Sequence, residues 1–469
     1  MPDKHQSVKP KTFRLFDIVL FNVCCILGMD TISAGASLGV QGIIWRILGI
    51  ALFFLPYGLV SAELGSTWPR AGGIYVWIKK AFGEYWSTMA SWLYWINIVY
   101  WMPSIFITFA TIFLSVFFPG LHEDLRSFLH TAIGIILIWI TVYLGIKNIK
   151  VTDVVTNIGA MTKAAIFLVL GLLGIWYAAK HKIATSFALS EWKITWSSTL
   201  AFAPLIVYNF MGFELVSSFS DKLRNPKKDI PRAVILAGIL ISFLYIFSAF
   251  GILSVFKTEE IHIVTGISDS LETLVAKTLG VPFTALFYVL ILGFLLSLYA
   301  FMFSWAYGAN CVISATGLDK KVKILGHRHP KHESPDYAFY TMGFVGTLLL
   351  LGNSVGLKSV QQIFWTIFAL ASVLFLLPYL LMFPAVLKLR KKEPETERPF
   401  RIPGGKIGLW ITVILGEFFI LLACIFFFVP PKATENVFRY ELSLVLGILV
   451  TLGIGVLIHL RGKNTSFPS

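Results

Sequence analysis

Apolar positions along this chain follow neither a period of two nor a single helical stripe. They run on, in stretches long enough to cross a bilayer as helices, at roughly 15–38, 42–66, 86–118, 128–146, 152–178, 198–220, 232–256, 282–313, 338–355, 359–387, 407–429 and 440–460. The pattern predicts an all-α membrane protein with twelve transmembrane helices and short tails at 1–14 and 461–469.

Two of these runs are interrupted. In the first, Phe13–Leu27 suits a half-helix, but Gly28-Met-Asp30-Thr-Ile-Ser33-Ala-Gly35-Ala-Ser37 then mixes small and polar residues with an acid at mid-membrane. In the sixth, within Pro204 to Arg232, Asn209-Phe-Met-Gly212 inserts a local hydrogen-bonder and a flexible residue directly before Glu214. Backbone freed from a helix finds no partner in lipid, so a break at membrane depth is tolerated only where protein buries it or a wet cavity meets it. Such a cavity is where a solute binds, although Asn209 and Gly212 alone fit helix packing equally well. Interrupted spans five apart point to an inverted repeat in which the first helix of each half unwinds and the half-helix ends hold substrate. Residues 15–180 and 198–390 are then the two halves, with two helices appended over 407–460. No clear identity links the halves, and the repeat is inferred from position.

Composition narrows the class further. Hydrophobic residues at 57%, charged residues at 14% and a mean hydropathy of +0.77 exclude a soluble protein of 469 residues with a single core. The net charge of +14 does not point to nucleic acid, because the basic residues recur in short clusters between apolar runs. With an inward N-terminus, 28 of the 39 Lys and Arg residues fall in inner segments, so both termini are expected in the cytoplasm of a multi-pass cell-membrane protein. The first run is too long for a cleavable signal peptide and lacks a small-residue cleavage site.

Enzymatic chemistry finds no support. There is no Walker sequence, and the cysteines Cys24, Cys25, Cys311 and Cys424 lie in apolar runs without metal-ligand spacing. No metal or cofactor is therefore expected. His327, His329 and His332 crowd a loop, where solvated side chains are the simplest reading, and Glu417 in the eleventh span fits either a subunit contact or a lipid-facing defect. Tyr94, Asn97 and Tyr100 place polar groups on the third span at helical spacing, as Ser297, Tyr299, Ser304 and Tyr307 do on the eighth, so that some of them should line a cavity. Lys163 sits about a dozen residues inside the fifth span, too deep to snorkel easily, where an unpaired charge costs roughly 2.5–3.5 kcal/mol on insertion scales.

At this point the residues carry a resemblance. Leu55-Pro-Tyr-Gly-Leu-Val-Ser-Ala-Glu-Leu64 followed by Pro69-Arg-Ala-Gly-Gly-Ile-Tyr-Val-Trp77 is similar to the second span and adjoining loop of the amino acid–polyamine–organocation superfamily. Gly212-Phe-Glu214, Asn225-Pro-Lys-Lys-Asp-Ile-Pro231 and Pro399-Phe-Arg-Ile-Pro403 resemble that family's later motifs, in the expected order. The resemblance implies the LeuT-like five-plus-five inverted repeat and alternating access. The first span resembles the glutamate/GABA and amine exchanger branches and departs from the Gly-Ser-Gly signature of arginine/agmatine exchangers.

By that resemblance, substrate meets Gly28, Asp30, Ser33, Ala34, Gly35, Tyr208, Asn209 and Gly212. Tyr208 takes the place of an aromatic gate, with Phe303 as a second wall, and Tyr94, Asn97, Tyr100, Ser304 and Tyr307 line the cavity. Lys163 resembles a fixed substitute for a sodium ion, and Glu214 either titrates during the cycle or holds neighbouring helices. Asp30 would repel a carboxylate and favour an amine. Alternatively it pairs with Lys163 or caps the helix, leaving specificity elsewhere. The expected activity is secondary transport of amino acids or their decarboxylated amines by a sodium-independent exchanger. The rivals are a glutamate/GABA-type antiporter and, from another class, a channel or solute-sensing receptor. The expected partners are the small-molecule substrate and the lipid bilayer.

Overall fold

The computed structural model describes residues 14–463 except 30–31, 71, 148, 194, 196–203, 281–283, 316–324, 326, 333, 357–359 and 431–435. Among the described residues there is no β-strand, and nine helices are long and apolar enough to cross a membrane. Leu15–Ile26 and Pro204–Ser217 are apolar but shorter. These are the two interrupted runs.

The first run forms α1 (Leu15–Ile26), leaves helical geometry at Leu27, and becomes helical again in α2 (Ile32–Ala36). The second run is helical as α3 (Val40–Gly49) and α4 (Leu55–Thr67), joined by a π-helical turn over Ile50–Phe54. Pro56 accounts for that turn: it offers no N–H to the carbonyl four residues back and its ring crowds that carbonyl, so the backbone widens just before it. A short helix, α5 (Ile74–Phe82), lies between left-handed glycines at Gly73 and Gly83.

The remaining long elements are α6 (Glu84–Phe117), α7 (Glu123–Lys147) and α8 (Ile149–Lys180). The sixth run is helical over residues 204–209 as α9, opens at 210–212, and continues as a 3-10 stretch, Phe213–Lys222. Then come α10 (Pro226–Val255), α11 (Gly266–Thr278), α12 (Thr284–Ala315) and α13 (Asp336–Gly356). The tenth run divides into α14 (Val360–Leu376) and α15 (Tyr379–Lys392), with Pro378 in the turn between them, and α16 (Gly405–Phe426) and α17 (Val437–Lys463) follow.

Most helices extend beyond their apolar runs into polar ends, because a helix satisfies its own backbone whether or not lipid surrounds it. The apolar runs gave no sign of α5 or α11, whose lengths are too short to span.

The interrupted α1 lies at the centre, packed against α10, α8 and α12. Close approach of these helices relies on glycine: a Cβ at Gly159 of α8 would stand 2.2 Å from the Ala300 Cβ of α12. Near the far end of α4, Glu63 is fully buried and ties two distant sequence motifs together. Arg390 meets its carboxylate bidentately at 2.7 and 2.5 Å, and the Ile402 N–H donates to it at 2.8 Å. Arg398 approaches the same group at 3.7 Å and donates to the Leu389, Glu393 and Thr396 carbonyls, ordering the segment from 389 to 402 against α4.

Candidate functional site

A helix ends with carbonyls that have no intrahelical partner, and α1 ends in the middle of the protein. Its orphan acceptors are each met by a side chain from another helix. Lys163 of α8 donates to the Cys24 and Leu27 carbonyls, both at 2.7 Å. Trp305 of α12 donates its indole N–H to Cys25 at 2.8 Å. The Tyr245 hydroxyl of α10 accepts the Gly28 N–H at 2.7 Å and lies 2.8 Å from the Ile26 carbonyl and 3.0 Å from that of Asn209, either of which its proton can reach. One hydroxyl thus touches both breaks. The Lys163 ammonium is fully buried and stands 4.0 Å over the ring of Phe301, a cation–π contact that adds to the two carbonyls.

The second break is held from α4. Gly212 has φ +133°, a conformation that favours glycine, and its N–H donates to the Tyr57 hydroxyl at 2.9 Å. A Cβ there would come within 3.0 Å of Ile26 and 3.1 Å of Trp305, so the two breaks approach each other as closely as a missing side chain allows. Next to it, the buried Glu214 carboxylate accepts hydrogen bonds from three tyrosines: Tyr57, Tyr94 of α6 at 2.8 Å and Tyr379 of α15 at 2.6 Å. The turn at Pro378 is what starts α15 at Tyr379.

Between the breaks lies a cavity of about 10 Å³, bordered by Gly28, Asn97, Trp101, Tyr208, Asn209 and Trp305 among others. It has room for about one water. Tyr208 packs edge-on to Trp101 at 5.7 Å and to Phe368 at 4.8 Å, closing one wall with aromatic surface. A second cavity of about 800 Å³ lies towards the α2–α3 junction. It is bordered by Ala34, Ser37, Gln41, Glu191, Glu259 and Tyr440, at the end of the span opposite Glu63.

Residues singled out by sequence therefore fall into three groups. Gly28, Asn97, Tyr208 and Asn209 border the small cavity, and Gly212, Glu214, Tyr94 and Lys163 hold its frame. Ala34 faces the larger cavity, whereas Ser33 abuts Gly266 of α11 and Gly35 abuts Gly42 of α3. Others point elsewhere. Phe303 stacks along α12 between Tyr299 and Tyr307, at 6.1 and 6.4 Å, and Phe301 and Trp305 are the aromatics of that helix that face the cavity. Tyr307 also packs on Phe339, Tyr100 lies 3.3 Å from Thr451 of α17, and Ser304 meets Thr156 at 2.8 Å. Asp30 lies outside the described residues.

Tyr57, Tyr245, Trp305 and Tyr379 also hold the breaks, with little in the sequence to mark them. Tyr57 and Tyr379 each sit one residue after a proline, which was the available signal. Arg46, within the apolar run at 42–66, is buried in α3. Of the loop histidines, His327 pairs with Asp336 at 2.8 Å, and the rings of His329 and His332 lie tilted to each other with centroids 4.7 Å apart. All four cysteines are free thiols.

Known proteins are similar in sequence to nearly the whole of this chain. Residues 13–454 match the family model for amino acid permeases. A probable agmatine/putrescine antiporter, AguD, of Lactococcus lactis is 33% identical over 456 residues, covering 96% of this chain and 95% of the relative. A glutamate/gamma-aminobutyrate antiporter of the same species is 23% identical, with coverage of 97% and 92%. The serine/threonine exchanger SteT of Bacillus subtilis is 26% identical, with coverage of 80% and 81%. With a family match running almost end to end, a relative at one-third identity over nearly its full length, and interrupted helices meeting at a buried cavity, the chain belongs to the amino acid permease family of membrane transporters.

Proposed function

We propose that this transporter is a sodium-independent exchanger of primary amines and the amino acids from which decarboxylation derives them. The observation that carries the reading is the Lys163 ammonium among the carbonyls that end α1. A monovalent cation held by backbone oxygens is what a coupling sodium ion would supply there. A covalently fixed one removes the need for it. Similarity to a probable agmatine/putrescine antiporter over nearly the whole chain supports amines as the substrate class.

In this reading the chain makes twelve spans in a five-plus-five inverted repeat, with two helices appended and both termini cytoplasmic, as the Lys and Arg distribution favours. Substrate enters from the larger cavity, passes Tyr208, and binds between the breaks at Gly28, Asn209 and Gly212. The aromatic walls are closed on that space here, so binding requires Tyr208 and its neighbours to move apart. The tyrosine-caged Glu214 and the Glu63–Arg390 pair lie on the cytoplasmic route and hold it shut. Asp30, in sequence between the two halves of the first broken helix, takes the substrate ammonium.

The test is a competition panel of amino acids and polyamines against putrescine uptake in proteoliposomes, for the wild type and Asp30→Asn. We expect the variant to lose affinity for diamines more than for a neutral amino acid. Equal losses for both would remove Asp30 from recognition.

A further inference from the structure

Of the buried polar side-chain atoms that have no hydrogen-bond partner among the described residues, only the indole nitrogen of Trp101 belongs to a residue bordering either cavity. Trp101 lies midway along α6 with 2% of its surface exposed, and its ring meets those of Tyr208, Phe301 and Trp305 edge-on at 5.7, 5.1 and 6.0 Å. A buried donor without an acceptor is costly, and an indole N–H inside a protein ordinarily finds one. Here the cost is carried by a wall of the space between the two breaks.

Neighbouring donors are committed elsewhere. The Gly28 N–H goes to the Tyr245 hydroxyl at 2.7 Å, the Trp305 indole to the Cys25 carbonyl at 2.8 Å, and the Asn97 amide to the Leu93 and Tyr94 carbonyls of its own helix. Beside the cavity, the Gly212 N–H donates to the Tyr57 hydroxyl at 2.9 Å. Tyr208 and Asn209 also have interactions of their own. An N–H cannot receive an ammonium or a guanidinium, which carry donors and no acceptor. It can receive a carboxylate oxygen, and a hydrogen bond to a charged acceptor is among the stronger ones.

We infer that Trp101 is a specificity-determining residue: its indole N–H donates to the carboxylate of an amino acid substrate, a group that the decarboxylated amine lacks. The parting of Tyr208 and its neighbours that admits substrate uncovers the indole edge. The inference rests on the exchange reading above, in which one site takes both members of such a pair. Asp30 then takes the ammonium they share, and Trp101 holds the group that only the amino acid has.

Arginine and agmatine form such a pair. The experiment measures inhibition of putrescine uptake by each, in proteoliposomes of the full-length protein, for the wild type, Trp101→Phe and Trp101→benzothienylalanine. The last keeps the shape of the double ring and replaces the N–H by sulfur. Loss of the donor should weaken arginine relative to agmatine by roughly tenfold in both variants. A role in packing alone would weaken the two inhibitors together in Trp101→Phe and leave both unchanged in the benzothienyl variant. If Trp101→Phe does not fold, the benzothienyl variant decides: a shifted ratio supports the assignment and a wild-type ratio overturns it. A wild type that takes up no putrescine overturns the exchange reading and the Trp101 assignment together, whereas active wild-type exchange with an unmoved ratio in the variants overturns only the latter.

Discussion

The ammonium of Lys163 and the carbonyl of Leu27 stand 2.7 Å apart at the point where the first membrane helix stops. The same ammonium takes the Cys24 carbonyl, so a residue of α8 closes a helix end more than a hundred positions earlier in the chain. Losing it exposes two buried acceptors, each costing about 1–3 kcal/mol. Lys163→Ala should abolish uptake and lower the thermal midpoint of the purified protein. A variant with wild-type uptake would show that the break does not depend on this contact.

Tyr245 makes a narrower test, because Tyr245→Phe keeps the ring and removes the hydroxyl that touches Gly28, Ile26 and Asn209. Relative motion of the two breaks should become less coordinated, and the maximal exchange rate should fall by roughly tenfold, about 1.4 kcal/mol, in protein that still purifies normally. Initial-rate measurements at saturating substrate decide it; an unaltered rate would mean the shared hydroxyl is dispensable.

For Glu214, the surrounding groups are three O–H donors. A carboxylate accepts all three, but an amide presents an NH₂ to at least one of them. Glu214→Gln should therefore loosen the closed route and slow exchange. The coupling role also requires this variant to flatten the pH dependence of transport. A pH profile identical to the wild type, with normal expression, would leave Glu214 only its part in holding α4, α6 and α15 together.

The Glu63–Arg390 pair is buried on the acidic side, and breaking such a pair from one end typically costs about 3–5 kcal/mol. Glu63→Gln leaves Arg390 and Arg398 without their anion and should lower thermal stability sharply. A double-mutant cycle with Arg390→Ala separates the pair from its surroundings. Additive losses would show that the two side chains act independently.

Much of this arrangement was legible in the sequence because membrane physics leaves few choices. Polar and small residues inside an apolar run mark a break, and a lysine at the depth of Lys163 has to find oxygens. The motifs around Glu63 and at Pro399–Pro403 could be recognised separately, but only the fold brings Glu63 to Arg390 and Ile402. The aromatic residues were harder. With 41 Phe, 16 Tyr and 14 Trp, hydrophobicity alone cannot say which ring faces the cavity. Phe301 and Phe303 differ by about 200° around α12, so spacing distinguishes them only once one contact on that helix is known. The burial of Arg46 is hidden in the sequence for a related reason: near a helix end, a buried guanidinium and a solvated one look alike.

Exchange without a sodium gradient is tested most directly by counterflow. Proteoliposomes loaded with unlabelled putrescine or agmatine and diluted into sodium-free buffer should accumulate labelled putrescine transiently, faster than empty vesicles and with a saturable rate. Uptake that requires sodium, or that is non-saturable and indifferent to internal substrate, would contradict the account.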